Sequence, residues 1–178
     1  RAFQKPSHYN KREKSEDILR TIDKLAKIGE EKVKAELVAL MEGDSEATNK
    51  MEKILSFISS KEDFDSTLEN MANLAGEKAI PHIERMKEIR NMMKAAGIEK
   101  TFVLDPAITR GLDYYTGVVY ETFLNDLPSI GSVCSGGRYD NLAGLYMKDR
   151  IPGVGSSIGL DRLIAGLEQL GATNKKGS

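Results

Sequence analysis

Between Ser15 and Gly97 the apolar residues recur every three to four positions; beyond Gly97 that rhythm stops. This change of period most constrains the fold, because a helical stripe and a strand cannot share one pattern. Ser15 can cap a first helix, with Glu16 and Asp17 in a first turn where the helix dipole favours acids. Ile18, Ile22, Leu25 and Ile28 follow on one face, and Gly29 suits a C-terminal cap. Val33, Leu37, Leu40 and Met41 mark a second helix that ends near Gly43. Met51, Ile54, Leu55 and Ile58 mark a third, and Phe64, Leu68, Met71 and Leu74 a fourth that stops near Gly76. A fifth runs from about Glu77, with Pro81 in its early turns and Ile83, Met86, Ile89 and Met93 as its stripe. The methionines read as core filler.

After Gly97 glycine and β-branched residues rise. Residues 101–108, 116–124 and 131–135 read as strands. Arg138 to Tyr146 has helical spacing through Tyr139, Leu142 and Leu145. Val154–Ile158 reads as a further strand, leading into a helix with Leu160, Leu163, Ile164 and Leu167. The fold class expected is α+β: a basic arm over 1–14, a helical part over 15–98, a mixed part over 99–172 and a polar tail over 173–178.

Composition narrows the function classes. Hydrophobic residues are 40% and charged residues 30%, a globular balance. Lysine and arginine number 26 against 27 acids, so nucleic-acid contact needs a local basic patch. The arm holds Arg1, Lys5, Lys11, Arg12 and Lys14 against Glu13 and reads as a solvated or disordered segment, with phosphate contact as the alternative. A single cysteine, Cys134, points to a reducing, cytoplasmic setting. His8 and His82 stand apart with no zinc-ligand spacing, so no protein-held metal is expected. No apolar run approaches the roughly 18 residues of a membrane span.

Three segments carry chemistry. In Arg110-Gly111-Leu112-Asp113-Tyr114-Tyr115-Thr116-Gly117 an arginine and two tyrosines sit between strands. They form either a hairpin with packed aromatics or a pocket, in which guanidinium clamps an anion and a tyrosine hydroxyl meets a polar heterocycle. In Ser135-Gly136-Gly137-Arg138-Tyr139-Asp140-Asn141-Leu142 the glycines allow either close approach of a ligand or a tight turn. Asp140 there would favour the start of a helix. In Gly153-Val154-Gly155-Ser156-Ser157-Ile158-Gly159-Leu160-Asp161-Arg162-Leu163, Arg162 falls in the first turn of a helix. A cation gains nothing from the dipole at that end, which argues for an anion nearby; a surface salt bridge is the alternative. The segment is neither a Walker loop nor a Rossmann fingerprint.

Taken in this order, the three runs resemble the signatures of histidyl-tRNA synthetases. Arg110–Tyr115 is similar to the first histidine signature of that family, Gly136–Leu142 to the second, and Gly153–Leu163 to motif 3 of class II synthetases. Residues 18–97 resemble the family's helical insertion domain, and Ile22-Asp23-Lys24-Leu25 to Lys27-Ile28-Gly29 its junction. The resemblance implies a helical insertion followed by part of an antiparallel-sheet catalytic domain. It implies that Arg110 is catalytic and holds the ATP α-phosphate, and that Tyr115 bonds the histidine imidazole. It further implies that Tyr114 and Tyr139 line the amino-acid pocket, that Gly136 and Gly137 leave room for substrate, and that Gly159 and Arg162 serve ATP. ATP as substrate, Mg²⁺, the acceptor stem of histidine tRNA and a homodimer of the full-length protein complete the implied set. Class II motifs 1 and 2 are not found, so the expectation is a fragment that cannot activate histidine alone. A regulatory subunit of ATP phosphoribosyltransferase shares the fold, but its relatives usually lack arginines at the positions of Arg110 and Arg162. A non-catalytic tRNA-binding module is the other reading.

Overall fold

A computed structural model describes residues 11–109, 115–149 and 151–172, and divides into two compact units, 1–109 and 110–178. The first unit is helical. Helix α1 spans Lys11–Ile22, α2 Leu25–Ile28, α3 Glu30–Leu40, α4 Ala47–Ile58, α5 Phe64–Leu74 and α6 Ile80–Ala95. The first helix begins a turn before Ser15, because Lys11, Arg12 and Lys14 are good helix formers and Glu13 sits favourably in the first turn. The arm expected over 1–14 is therefore helical from Lys11; its first ten residues lie outside the described part. The single stripe expected from Ile18 to Ile28 is two helices, broken at Asp23 and Lys24. Gly29, at φ 82°, ends the second.

Two apolar clusters hold this unit. Val33, Leu37, Met41, Ala47 and Met51 are buried together, with Ile18, Leu25, Ile28, Ile54 and Leu55 packed around them. Phe64, Leu68 and Ile83 form the second, with Met71, Met86 and Leu104 against it. Asp63 caps α5: its carboxylate accepts from the Ser66 amide at 2.7 Å, and Ser66 Oγ accepts from the Asp63 amide at 3.2 Å. The buried Thr67 hydroxyl is satisfied twice, donating to the Asp63 carbonyl at 2.7 Å and accepting from the Lys61 amide at 2.9 Å.

Residues 101–108, expected as a strand, contain none. A 3₁₀ turn covers Glu99–Thr101, and Phe102 then takes an extended conformation without a ladder partner. Leu104 is instead anchored by the second cluster, and its carbonyl accepts from Ser60 Oγ at 3.3 Å. The β-propensity of the run is thus spent on extended chain alone.

The second unit holds a three-stranded antiparallel sheet in the order β1 (Val119–Thr122), β2 (Cys134–Tyr139), β3 (Gly153–Ile158), followed by α7 (Leu160–Gln169). With the helical unit, this makes the protein α+β. The strand expected over 131–135 begins at Cys134 and continues to Tyr139. The helix expected over Arg138 to Tyr146 is absent: Arg138 and Tyr139 pair with Val154 and Gly153, and only a 3₁₀ turn at Ala143–Leu145 follows. Strand pairing on both sides of β2 overrides the helical spacing of Tyr139, Leu142 and Leu145. Helix α7 packs Gly166 close to Leu124 and Ile130. Among the described residues no helix is long and apolar enough to cross a membrane.

Candidate functional site

Register fixes which side chains share a face of the sheet. Gly137 pairs with Val119 on one side and Gly155 on the other, and Tyr139 pairs with Gly153. Because side chains alternate, Ser135, Gly137 and Tyr139 share one face with Gly153, Gly155 and Ser157. Tyr115 covers Gly137: a β-carbon there would lie 2.8 Å from the tyrosine Cδ1. Tyr139 covers Gly153 and Gly155 on the neighbouring strand. Two predicted pocket tyrosines therefore stand over the same glycine-paved face.

On the opposite face the space beside Gly136 is taken up by a protein side chain. Tyr120 crosses beneath Gly136 and donates its hydroxyl proton to the Gly155 carbonyl at 3.0 Å. A β-carbon on Gly136 would come 2.6 Å from that hydroxyl oxygen. The space at Gly136, expected to serve substrate, is occupied by Tyr120.

Arg162 lies in the first turn of α7, as its spacing implies, and its Nη1 donates to the Ser132 carbonyl at 2.7 Å. It lines a cavity of about 360 Å³ with Ser135, Ser157, Gly159 and Asp161. Ser135 and Ser157 are a cross-strand pair on the tyrosine face, so that face leads from Tyr139, past Gly137, to the Arg162 cavity. Gly159 donates its amide to the Val133 carbonyl at 2.9 Å and precedes α7, so its role here is to turn the chain from strand to helix.

Arg110 and Tyr114 lie outside the described residues. Asp140 does not start a helix. It is buried, accepts from Arg138 Nε at 2.9 Å, and its amide donates to Thr116 Oγ1 at 3.0 Å. Sequence reasoning missed Tyr120, Ser135 and Ser157. The alternation Ser135, Gly137, Tyr139 is the pattern that marks them once β2 is read as a strand.

A family model described as histidyl-tRNA synthetase matches residues 17–163, which contain the whole of this tyrosine and arginine face. The chain belongs to the histidyl-tRNA synthetase family. It is 58% identical over 175 residues to the histidine–tRNA ligase of Treponema denticola, covering 95% of this chain and 38% of the relative. It is 46% identical over 162 residues to the histidine–tRNA ligase of Rhodopirellula baltica, covering 89% of this chain and 36% of the relative. A crystal structure of histidyl-tRNA synthetase from Nostoc sp. superposes with a TM-score of 0.80 at 36% identity, over 90% of this chain and 38% of that one. A Bacillus halodurans structure titled as an ATP phosphoribosyltransferase regulatory subunit/histidyl-tRNA synthetase gives 0.70 at 20% identity, over 90% of this chain and 39% of that one, and shares the fold. The chain thus spans about 38% of the length of a curated synthetase relative.

Synthetase chemistry with ATP implies Mg²⁺. Among the described residues no group of three or more His, Cys, Asp or Glu side chains could hold a metal ion. Among the described residues, Asp161 is the only carboxylate lining the Arg162 cavity. The described residues do not make an ion site by themselves.

Proposed function

We propose that this chain supplies the histidine pocket and part of the ATP site of a histidine–tRNA ligase, which joins histidine to AMP with release of pyrophosphate and then to tRNA. The observation that carries the reading is the single sheet face running from Tyr115 and Tyr139 to the Arg162 cavity. Tyr115 is assigned to the histidine imidazole, and Tyr139, with Tyr114, to the walls of its pocket. Gly137 matters because it lets Tyr115 lie against the sheet. A site of buried polar partners rejects competing amino acids by leaving those partners unpaired, which can discriminate by about 10⁴–10⁵.

Arg162 is assigned to the triphosphate. Its guanidinium is exposed at the positive end of a helix, and both it and the α7 amides suit an anion. Arg110 is assigned to the α-phosphate, where attack by the histidine carboxylate builds negative charge as pyrophosphate departs. ATP is a substrate here. Mg²⁺, when bound with it, would offset phosphate charge. The helical unit is proposed to meet the tRNA acceptor stem, and a homodimer belongs to the complete enzyme.

The test is a chimera in which this chain replaces the matching segment of the Treponema denticola ligase. Histidine-dependent exchange of pyrophosphate into ATP is expected from the chimera, and none from the 178-residue chain alone. A folded chimera without exchange would sink the assignment. Exchange by the isolated chain would show that the described half of the site suffices.

A further inference from the structure

The two pocket tyrosines are tied together by three residues to which no role has been given. Beyond the last paired residues of β1 and β2, Arg138 donates its amide to the Val118 carbonyl at 2.9 Å. Its own carbonyl accepts from the Thr116 amide at 2.9 Å, two residues earlier than an uninterrupted antiparallel ladder would use. The ladder bulges at Gly117 and Val118, as strands do where a side chain must be re-aimed. On the β1 side backbone pairing then stops, and side chains take over. The Asp140 amide donates to Thr116 Oγ1 at 3.0 Å, and Asp140 Oδ1 accepts from Arg138 Nε at 2.9 Å. The alkyl part of Arg138 lies along Gly117, where a β-carbon would meet its Cδ at 3.0 Å.

Each pocket tyrosine is covalently adjacent to this knot. Tyr115 precedes Thr116, and Tyr139 stands between Arg138 and Asp140. The knot therefore fixes the backbone at both tyrosines at once, while their rings lie over Gly137, Gly153 and Gly155. We propose that Thr116, Arg138 and Asp140 are positioning residues for histidine recognition, acting on Tyr115 and Tyr139 through the backbone. The inference rests on the histidine-pocket reading above.

The test uses the same chimera. Thr116→Val keeps the shape of the side chain and removes the acceptor for the Asp140 amide; Thr116→Ser keeps the acceptor. Thr116→Val is expected to raise the KM for histidine roughly tenfold, since small misplacements of binding groups are costly, with the KM for ATP unchanged. Thr116→Ser is expected to restore the original value. In parallel, ¹³C-tyrosine spectra of the 178-residue chain should show the Tyr115 and Tyr139 ring signals moving in Thr116→Val while the exposed Tyr146 stays in place. An unchanged KM for histidine, equal changes for histidine and ATP, or unmoved ring signals would overturn the inference. An unsubstituted chimera without activity would count against the pocket reading instead, and the tyrosine spectra would still decide whether the knot holds the rings.

Discussion

Tyr139 lies over Gly153 so closely that a β-carbon on the glycine would stand 2.5 Å from the ring's Cε2. The two are direct partners across β2 and β3, so neither can slide away without breaking register. Gly153→Ala is therefore expected to push the ring off the sheet. Overpacking of this kind costs about 1–3 kcal/mol. Urea denaturation should show that loss, and histidine affinity in the chimera should fall with it. A variant of unchanged stability and unchanged histidine KM would mean that the ring has free space to retreat.

Gly136 is a harder case. Its β-carbon would run into the Gly155 carbonyl and the Tyr120 hydroxyl, both members of one hydrogen bond. The tyrosine could rotate, but the carbonyl belongs to the β3 backbone. Gly136→Ala is expected to cost at least as much as Gly153→Ala, at the upper end of about 3 kcal/mol. Tyr120→Phe/Gly136→Ala should not recover it, because the backbone clash remains. Equilibrium unfolding of the three variants checks the order, and full recovery in the double variant would place the strain on the hydroxyl instead.

The helical unit was legible because its signals are local. The stripe of Val33, Leu37 and Met41, and that of Phe64 and Leu68, each name a buried cluster directly. The central strand was legible only at its start, Cys134 and Ser135; its end was not, because Arg138 to Tyr146 has helical spacing and only strand pairing makes Arg138 and Tyr139 extended. That error hid the role of Asp140 and the shared face of Ser135, Gly137 and Tyr139. The run 101–108 failed in the opposite way: it has strand propensity but, among the described residues, no strand beside it. Of the residues drawn from the family signatures, Tyr115 and Tyr139 stand over one face of the sheet, and Arg162 on α7 lines a cavity with Ser135 and Ser157; the residues that support them depend on register, which a single sequence does not print.

Acid should loosen the helical unit through α5. Asp65 accepts from Arg90 Nε at 3.3 Å and pairs with Lys94 at 3.1 Å. The bond from Arg90, then that from Lys94, holds its carboxyl below the ordinary range. The amide and hydroxyl of Ser66 hold Asp63 down in the same way. A folded-state value below that of the unfolded chain, about 3.9, means that the stabilisation is complete above that pH and is lost as pH falls through the folded value. Asp65 is half exposed, so its pair contributes no more than about 1 kcal/mol and is screened by salt. Asp65→Asn should lower the thermal midpoint at pH 7, and the gap from the parent should close as the pH falls below the ordinary carboxylate range. A constant gap across the titration would show that the charge is irrelevant to the pair.

Arg162 offers the sharpest separation of binding from stability. Its guanidinium is exposed, sits at the end of α7 where the helix dipole opposes a cation, and makes a bond to the Ser132 carbonyl. Removing it takes away one surface hydrogen bond and one unfavourable dipole contact. Arg162→Ala is thus expected to change stability by no more than about 0.5 kcal/mol. A charge-assisted contact to phosphate is stronger, and its loss should raise the KM for ATP roughly tenfold or more in the chimera while the KM for histidine stays in place. Arg162→Lys should recover only part, because an ammonium cannot reproduce the planar fork. If the alanine variant instead loses stability and leaves ATP untouched, the arginine is a structural tie between α7 and the turn before β2.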